Sequence, residues 1–175
     1  SALIFLLLPE TVYACSCAPP PSVQEELKRS HEVFAGQVLE VKHQKHGRYV
    51  TNAALFEVNQ VWKGKPETQK IIYTGTGGGD CGIYFEKGKS YLVYAHPSSM
   101  YGGKELMISI MCDRTTALDK AQADLDILGQ GEKPTETVQL LYKLDKRIPM
   151  LWALLCVLII GCLIFLGRYM YKRRA

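Results

Sequence analysis

The sequence predicts a mainly β domain, a small closed barrel of five strands with flanking helices, followed by one transmembrane helix. Three observations favour this fold class. Two long segments place their side chains alternately on two faces, with the period of two that is typical of strands, and three shorter apolar segments also predict strands. Turns rich in glycine and proline separate these segments, as in small antiparallel barrels. The final apolar run, 148–167, contains no charged side chain over about 20 residues, the length of a membrane-spanning helix.

The start of the chain resembles the end of a secretory leader. Val12 and Ala14 stand three positions and one position before Cys15, which is the pattern of a signal-peptidase cleavage site. We therefore interpret 1–14 as the remainder of a signal peptide and expect the mature protein to begin with Cys15. The alternative is a lipid-modified Cys15, as in bacterial lipoproteins, although Tyr13 fits that recognition pattern poorly.

Four cysteines precede the final apolar run, and they predict two disulfides. They are Cys15, Cys17, Cys81 and Cys112. A bond between Cys15 and Cys17 is disfavoured, because alternate residues of an extended chain point to opposite sides. Two crossed pairings remain, and both would fasten the N-terminus to distant parts of the domain.

The first helix and the strands follow the proline run. Ser22 and Glu25 fit a capping box, which predicts a short helix over 22–29. Alternation of apolar residues then predicts strands, of which the first two should pair antiparallel. The predicted strands cover 32–42, 50–62, 70–73, 90–95 and 105–112.

Two further segments complete the predicted domain. So many glycines in 74–82 disfavour regular structure, so this segment is predicted to be a loop held by its cysteine. Apolar residues in 116–128 recur with the helical period, which predicts a second helix with Thr116 as N-cap and Gly129 as its stop.

The remaining segments predict a membrane-anchored protein. The domain occupies 15–129 and is followed by a polar linker and juxtamembrane segment over 130–147. The transmembrane helix covers 148–167, and the basic residues of 168–175 should face the cytoplasm. We therefore expect a single-pass protein of the cell membrane, with an extracellular domain and a cytoplasmic C-terminus.

Charge and motifs give no sign of an enzyme or a nucleic-acid-binding protein. The formal net charge is +4, and basic residues at the extreme C-terminus account for this excess. No Lys-Ser or Lys-Thr follows the glycine loop at the spacing of a phosphate-binding loop. The histidines do not form a metal-ligand pattern, and no nucleophile with a base or carboxylate pair stands out. We expect no catalytic activity, no cofactor, no metal site of the protein's own and no nucleic-acid partner.

Several short motifs carry a resemblance to a known family. They are Cys-Ser-Cys-Ala-Pro-Pro at 15–20, Val-Phe-Ala-Gly at 33–36, Val-Trp-Lys-Gly at 61–64, Asp-Cys-Gly at 80–82, Tyr-Leu-Val-Tyr at 91–94 and the closing Cys112. Together they look like the tissue inhibitor of metalloproteinase family, a branch of the netrin-type modules, whose core resembles an OB-fold barrel. The resemblance covers roughly 15–129. An anchor in place of the family's C-terminal domain is similar to bacterial surface members.

The resemblance implies a disulfide pairing and an inhibitory mechanism. It implies the bonds Cys15–Cys81 and Cys17–Cys112, with the crossed pairing as the alternative. It also implies that the amine and carbonyl of Cys15 chelate the catalytic zinc of a secreted or surface metalloprotease, the expected partner. The protease-binding residues would be Cys15, Ser16, Cys17, Ala18, Pro19, Gly77, Gly78, Gly79 and Asp80. The alternative function is a non-inhibitory surface binding module that uses the same barrel.

Overall fold

The computed structural model of the chain describes residues 15–77, 79–102, 105–144 and 147–174. These residues divide into two units, of which one ends at Val138 and the other begins at Gln139. The elements described in the first unit are β1 Glu32–His46, β2 Tyr49–Lys63, β3 Gln69–Thr74, β4 Ser90–Ser98, β5 Leu106–Ile108, β6 Thr116–Ala117, α1 Val23–Arg29 and α2 Gln122–Leu128.

The strands join in one sheet whose pairings link five of them into a ring. The strand order is β1-β2-β3-β5-β4-β6, and β4 also pairs with β1. The link between β3 and β5 is a single parallel pair, Tyr73 with Ile108. A closed barrel needs a staggered ladder between all of its neighbouring strands. The predicted OB-fold-like closed barrel is therefore wrong, and the fold is a mainly β sheet that contains a ring of five strands.

The strands lie where the sequence predicts them, but β1 ends at His46 instead of 42, β4 ends at Ser98 instead of 95, and β5 is shorter than predicted. The predicted antiparallel pairing of β1 with β2 is confirmed. The strand predicted over 105–112 ends at Ile108, because a turn follows it: the Ile110 amide donates to Asp113 Oδ2 at 2.9 Å, and the Asp113 amide donates to the Ile110 carbonyl at 2.9 Å. The Asp113 side chain gives the Ile110 amide a local hydrogen-bond partner, which competes with pairing in the sheet.

The long strands are buried on both faces, and each face enters a different cluster. Because successive side chains of a strand point to opposite sides, Phe34 and Val33 separate. Phe34 lies in the larger cluster, where aromatic rings meet edge to face; its aromatic members are Phe34, Phe56, Phe85 and Tyr91. Val33 lies in a smaller cluster with Leu92 and Tyr94 of β4 and with side chains from the helical segments, among them Ala121, Leu27 and Leu125.

The first helix begins as predicted, whereas the second begins later. The Glu25 amide donates to Ser22 Oγ at 3.2 Å and the Ser22 amide donates to Glu25 Oε2 at 2.9 Å, which confirms the capping box. Thr116 is not an N-cap, since it pairs with Leu92 in the sheet. A 3-10 turn follows, and α2 then runs to Gly129, whose φ of 68° confirms the predicted stop.

The segment predicted to be a polar linker is paired with the sheet up to the end of the first unit. Val61 and Glu132 exchange backbone hydrogen bonds of 2.8 and 2.9 Å. The Thr68 amide donates to the Glu136 carbonyl at 2.8 Å, and the Trp62 indole donates to the Gly129 carbonyl at 2.9 Å. These bonds satisfy polar groups of β2 and of the chain beyond it.

The second unit contains α3 Leu141–Leu144 and α4 Arg147–Arg174. No helix among the residues that the structure describes has the length and apolar content needed to cross a membrane. This finding contradicts the transmembrane helix predicted over 148–167 and the single-pass location inferred from it.

Phe56→Ala should lower the free energy of unfolding by about 3–5 kcal/mol, because it removes a ring from the centre of the aromatic cluster and leaves a cavity. Urea unfolding followed by circular dichroism measures this change. The control is Val50→Ala on the same strand, where the side chain is 42% exposed and the expected loss is within about 0.5 kcal/mol. Equal losses in the two variants would contradict the assignment of the core.

Candidate functional site

The candidate site begins with an exposed segment that is fastened at two points. Residues 15–22 lie outside the helices and strands, and 16–20 are exposed. Disulfides Cys15–Cys81 and Cys17–Cys112 have Cα–Cα distances of 5.6 and 5.2 Å. The pairing implied by the resemblance is confirmed over the crossed one. The segment is therefore held in place although it makes no strand ladder.

The Asp80 carboxylate organises the glycine loop that carries Cys81. It accepts hydrogen bonds from the amides of Thr76 at 2.6 Å, Gly77 at 3.0 Å and Gly82 at 3.1 Å. Burial by itself raises the pKa of the Asp80 carboxyl, but the hydrogen bonds outweigh burial, so its pKa lies below the ordinary value. Asp80 therefore remains charged at neutral pH and holds the loop in one shape.

Two glycines permit this shape because the backbone approaches itself closely. A Cβ at Gly82 would lie 2.5 Å from the Gly75 carbonyl oxygen, and one at Gly75 would overlap the Asp80 carboxylate. Cys81, which directly precedes Gly82, has a φ of 60°, a backbone angle that residues other than glycine seldom adopt. The loop is thus shaped by close contacts, and its glycines do not indicate a phosphate-binding site.

Two hydrogen bonds fix the loop against the turns that follow β4 and β5. The Tyr101 hydroxyl donates to the Asp80 carbonyl at 2.7 Å, and the Met111 amide donates to the Cys81 carbonyl at 2.9 Å. Burial, followed by the nearby Asp80 carboxylate, raises the pKa of Tyr101 to about 12, so the hydroxyl keeps its proton. Since Met111 precedes Cys112, the second bond places the two disulfides side by side.

A cluster of charges with two buried carboxylates lies beside Cys112, and sequence reasoning missed it. Arg29 on α1 approaches Glu26 at 2.7 Å and Asp113 at 3.3 Å, and it donates to the Cys112 carbonyl at 3.4 Å. His96 Nδ1 lies 3.8 Å from the Asp113 carboxylate. The sequence indicates Glu26 only as a favourable charge in a first helical turn, yet its side chain is 1% exposed.

Burial is the main cause that raises the pKa of Asp113, and the nearby Glu26 carboxylate adds to it. The Ile110 amide, His96 and Arg29 oppose this rise. A buried carboxyl of this kind is stabilised by several partners together, because each one offsets part of the desolvation. The cluster therefore links α1 to the turn that carries Cys112.

The predicted site residues fall into two groups. The Cys15–Cys81 disulfide brings the segment 15–17 next to the glycine loop, in which Asp80 directly precedes Cys81. The other described members are Ala18, Pro19, Gly77 and Gly79, all of which are exposed. Gly78 lies outside the described residues, as does the predicted signal peptide 1–14. Within the described ranges, no three His, Cys, Asp or Glu residues form a group that could hold a metal ion.

No protein family and no curated protein matches this chain. The assignment to the metalloproteinase inhibitors is therefore a proposal that rests on the motifs and on the geometry of the segment and loop. That geometry consists of an exposed segment over 16–20, two disulfides and a neighbouring loop whose backbone amides bond to the Asp80 carboxylate.

Asp80→Asn should loosen the glycine loop, because an amide accepts hydrogen bonds less strongly than a carboxylate and its NH₂ group would face backbone donors. Since the folded-state pKa of Asp80 is lowered, the carboxylate stabilises the loop above the unfolded-state pKa of about 3.9. This contribution is lost as the pH falls through the folded-state pKa. Hydrogen exchange at Gly77 and Gly82 should be faster in the variant at neutral pH, with a difference that shrinks in acid.

The matched control is Asp119→Asn, which changes an exposed carboxylate of the same size. It should leave the exchange of Gly77 and Gly82 unchanged at every pH. If Asp80→Asn showed the wild-type protection factors at neutral pH, the carboxylate would not be what organises the loop.

Proposed function

We propose that the chain is an inhibitor of zinc metalloproteases in which Cys15, as the mature N-terminal residue, binds the catalytic zinc of the target. The observation that carries this proposal is the exposed segment that follows Cys15, held by disulfides at its first and third residues. Such a segment presents a chain terminus to a partner in a fixed position. The two disulfides are also typical of proteins that fold in an oxidising compartment.

The chemistry needs a free amine, which cleavage before Cys15 would create. The α-amine and the carbonyl oxygen of one residue close a five-membered chelate ring on a metal. An α-amino group titrates near about 7.7–8.0, so a useful fraction is neutral at physiological pH, and zinc displaces the proton from the rest. Catalytic zinc in a protease keeps one coordination position open for water. The amine would take that position and the carbonyl oxygen would add a fifth ligand, so the water nucleophile would be excluded.

The residues after Cys15 would then follow the substrate cleft. Ser16 is exposed between the two disulfides, so its side chain is free to enter the pocket beside the metal. Cys17, Ala18 and Pro19 would continue along the cleft in an extended conformation that proline favours. Because the segment is ordered before binding, it loses less conformational entropy on docking than a flexible peptide does.

The glycine loop would form the second edge of the binding surface. The predicted contacts here are Gly77, Gly78, Gly79 and Asp80. Asp80 directs its carboxylate to the amides of its own loop, so the side chain acts by holding the loop's shape. The Cys15–Cys81 bond joins this edge to the metal-binding residue.

A second candidate function is a binding module that does not inhibit. Tyr84, two residues beyond Gly82, is 79% exposed, and Met111 beside Cys112 is 56% exposed. Large exposed apolar and aromatic side chains are common at the centre of protein interfaces. These two residues favour contact with a protein partner, and that contact would not depend on the Cys15 amine.

Adding one alanine before Cys15 in the mature protein should weaken inhibition of a susceptible zinc metalloprotease by about 100-fold or more, roughly 3 kcal/mol. The extension removes the amine from the metal and places a residue where the zinc ligand should lie. Inhibition constants measured with a panel of purified zinc metalloproteases test this expectation. The control is the unextended protein, released from the same fusion with Cys15 as its first residue.

The two candidate functions differ in what the extended variant retains. Unchanged inhibition by the extended variant would reject zinc binding by Cys15. Loss of inhibition together with loss of binding supports the inhibitor. A partner captured equally by both forms, without inhibition by either, would favour the binding module.

A further inference from the structure

The exposed segment has a third attachment, at its far end, that is not covalent. Arg114 Nη1 donates a hydrogen bond of 3.0 Å to the Pro21 carbonyl. Pro21 directly precedes Ser22, the N-cap of α1. Because prolines have no N–H, residues 19–21 offer only carbonyl oxygens for backbone hydrogen bonds. The bond from Arg114 therefore uses one of the few polar groups by which this part of the segment can be held.

The Arg114 guanidinium is itself fixed in direction. Its Nε donates to Asp124 Oδ2 at 2.9 Å and its Nη2 donates to Asp124 Oδ1, so the pair is bidentate. The Tyr94 hydroxyl donates to the same Asp124 Oδ2 at 2.9 Å. Tyr94 is fully buried and Asp124 is 6% exposed. A planar guanidinium held by two bonds directs its remaining N–H groups along set lines.

The electrostatics of this group keep it intact at neutral pH. Burial raises the pKa of Asp124, but hydrogen bonds from Arg114 and Tyr94 outweigh it, and the pKa is lowered overall. The hydrogen bond with Asp124 is the largest cause that raises the pKa of Arg114. Both partners are therefore charged, and the bond to the Pro21 carbonyl has a charged donor, which strengthens it.

We propose that Arg114 is a positioning residue for the segment that binds the target, acting as a third anchor beside the two disulfides. Its part in inhibition rests on the proposed function. Cys17 is fixed to Cys112, but Ala18, Pro19 and Pro20 are exposed beyond that bond. With the Pro21 carbonyl also held, these residues span two fixed points and keep one direction. Without the anchor they would be held only at the Cys17–Cys112 bond and, beyond Pro21, at the Ser22 cap of α1, which leaves a longer free stretch.

Arg114→Lys should loosen this stretch while the charge toward Asp124 is kept. A lysine ammonium lacks the planar fork that holds a carboxylate with two bonds while it donates to a third acceptor. We expect the backbone NMR order parameter of Ala18 to fall from about 0.85 to below about 0.6. Inhibition of a susceptible metalloprotease should weaken by about 10-fold, because the loosened segment must then lose its conformational freedom on binding.

A second variant and a control separate anchoring from general stability. Tyr94→Phe removes only the hydroxyl that orients Asp124, and it should change the Ala18 order parameter in the same direction by a smaller amount. Gln122→Ala lies on the same helix as Asp124, where the Gln122 side chain donates to exposed Asp126. It should change neither the order parameter nor the inhibition. Chemical shifts of the β1 and β2 amides verify that each variant is folded.

The outcomes distinguish the anchor from the function. If Ala18 kept its wild-type order parameter in both folded Arg114→Lys and Tyr94→Phe, the proposal would be overturned, whatever the inhibition assay gave. If the order parameter fell but the wild-type protein inhibited no metalloprotease of the panel, the anchor would be supported and the proposed inhibition rejected. A fall in both, with Gln122→Ala unchanged, supports both.

Discussion

The hydrogen bond from the Met111 amide to the Cys81 carbonyl, 2.9 Å long, joins the two disulfides into one closed structure. The ring runs from Cys81 through its disulfide to Cys15 and along the chain to Cys17. It continues through the second disulfide to Cys112 and closes at Met111. The exposed segment, the glycine loop and the turn after β5 therefore depend on one another. A change in any of them would move the residues that the proposed function places against a target.

Two arginines extend this arrangement into the domain. Arg29 reaches the Cys112 carbonyl from α1, and Arg114 reaches the Pro21 carbonyl from the turn after β5. Each is paired at the same time with a carboxylate that is largely buried, Glu26 in one case and Asp124 in the other. A guanidinium has five N–H donors and so satisfies a carboxylate and a carbonyl together. The ends of a segment without secondary structure are thus tied to helices and sheet.

The sequence was a good guide to what depends on neighbouring residues and a poor guide to what depends on distant ones. The capping box at Ser22 and the positions of β1 and β2 follow from local patterns and were predictable, although β1 continues to His46, beyond the predicted end at 42. The short β6 strand and the pairing of Val61 with Glu132 have no local periodicity, because their partners are remote in the sequence. The prediction of a closed barrel was wrong for the same reason. Closure depends on pairing between segments that are remote in the sequence, and one residue pair links β3 to β5.

The candidate site shows the same division. The cysteine pairing came from a resemblance, since the residues alone left two crossed pairings open. The charged cluster joins Glu26 to Asp113 through Arg29, and the Arg114 anchor joins Pro21 to Asp124. Lone charges at such separations carry no motif, so a single sequence does not indicate them. A glycine-rich loop was predictable, whereas its dependence on the Asp80 carboxylate needed the geometry.

These anchors matter to a binding segment because they order its backbone during folding, before the segment meets a target. Fixing the backbone of one residue costs about 1–2 kcal/mol, which for 15–20 is on the order of 10 kcal/mol. The disulfides close loops of 66 and 95 residues, and loop-closure entropy gives each about 4–5 kcal/mol of stabilisation. These magnitudes are comparable, so most of the ordering is completed on folding. In the proposed function, the Cys15 amine held in this way would meet a metal with little further loss of entropy, whereas the same residues in a free peptide would bind weakly.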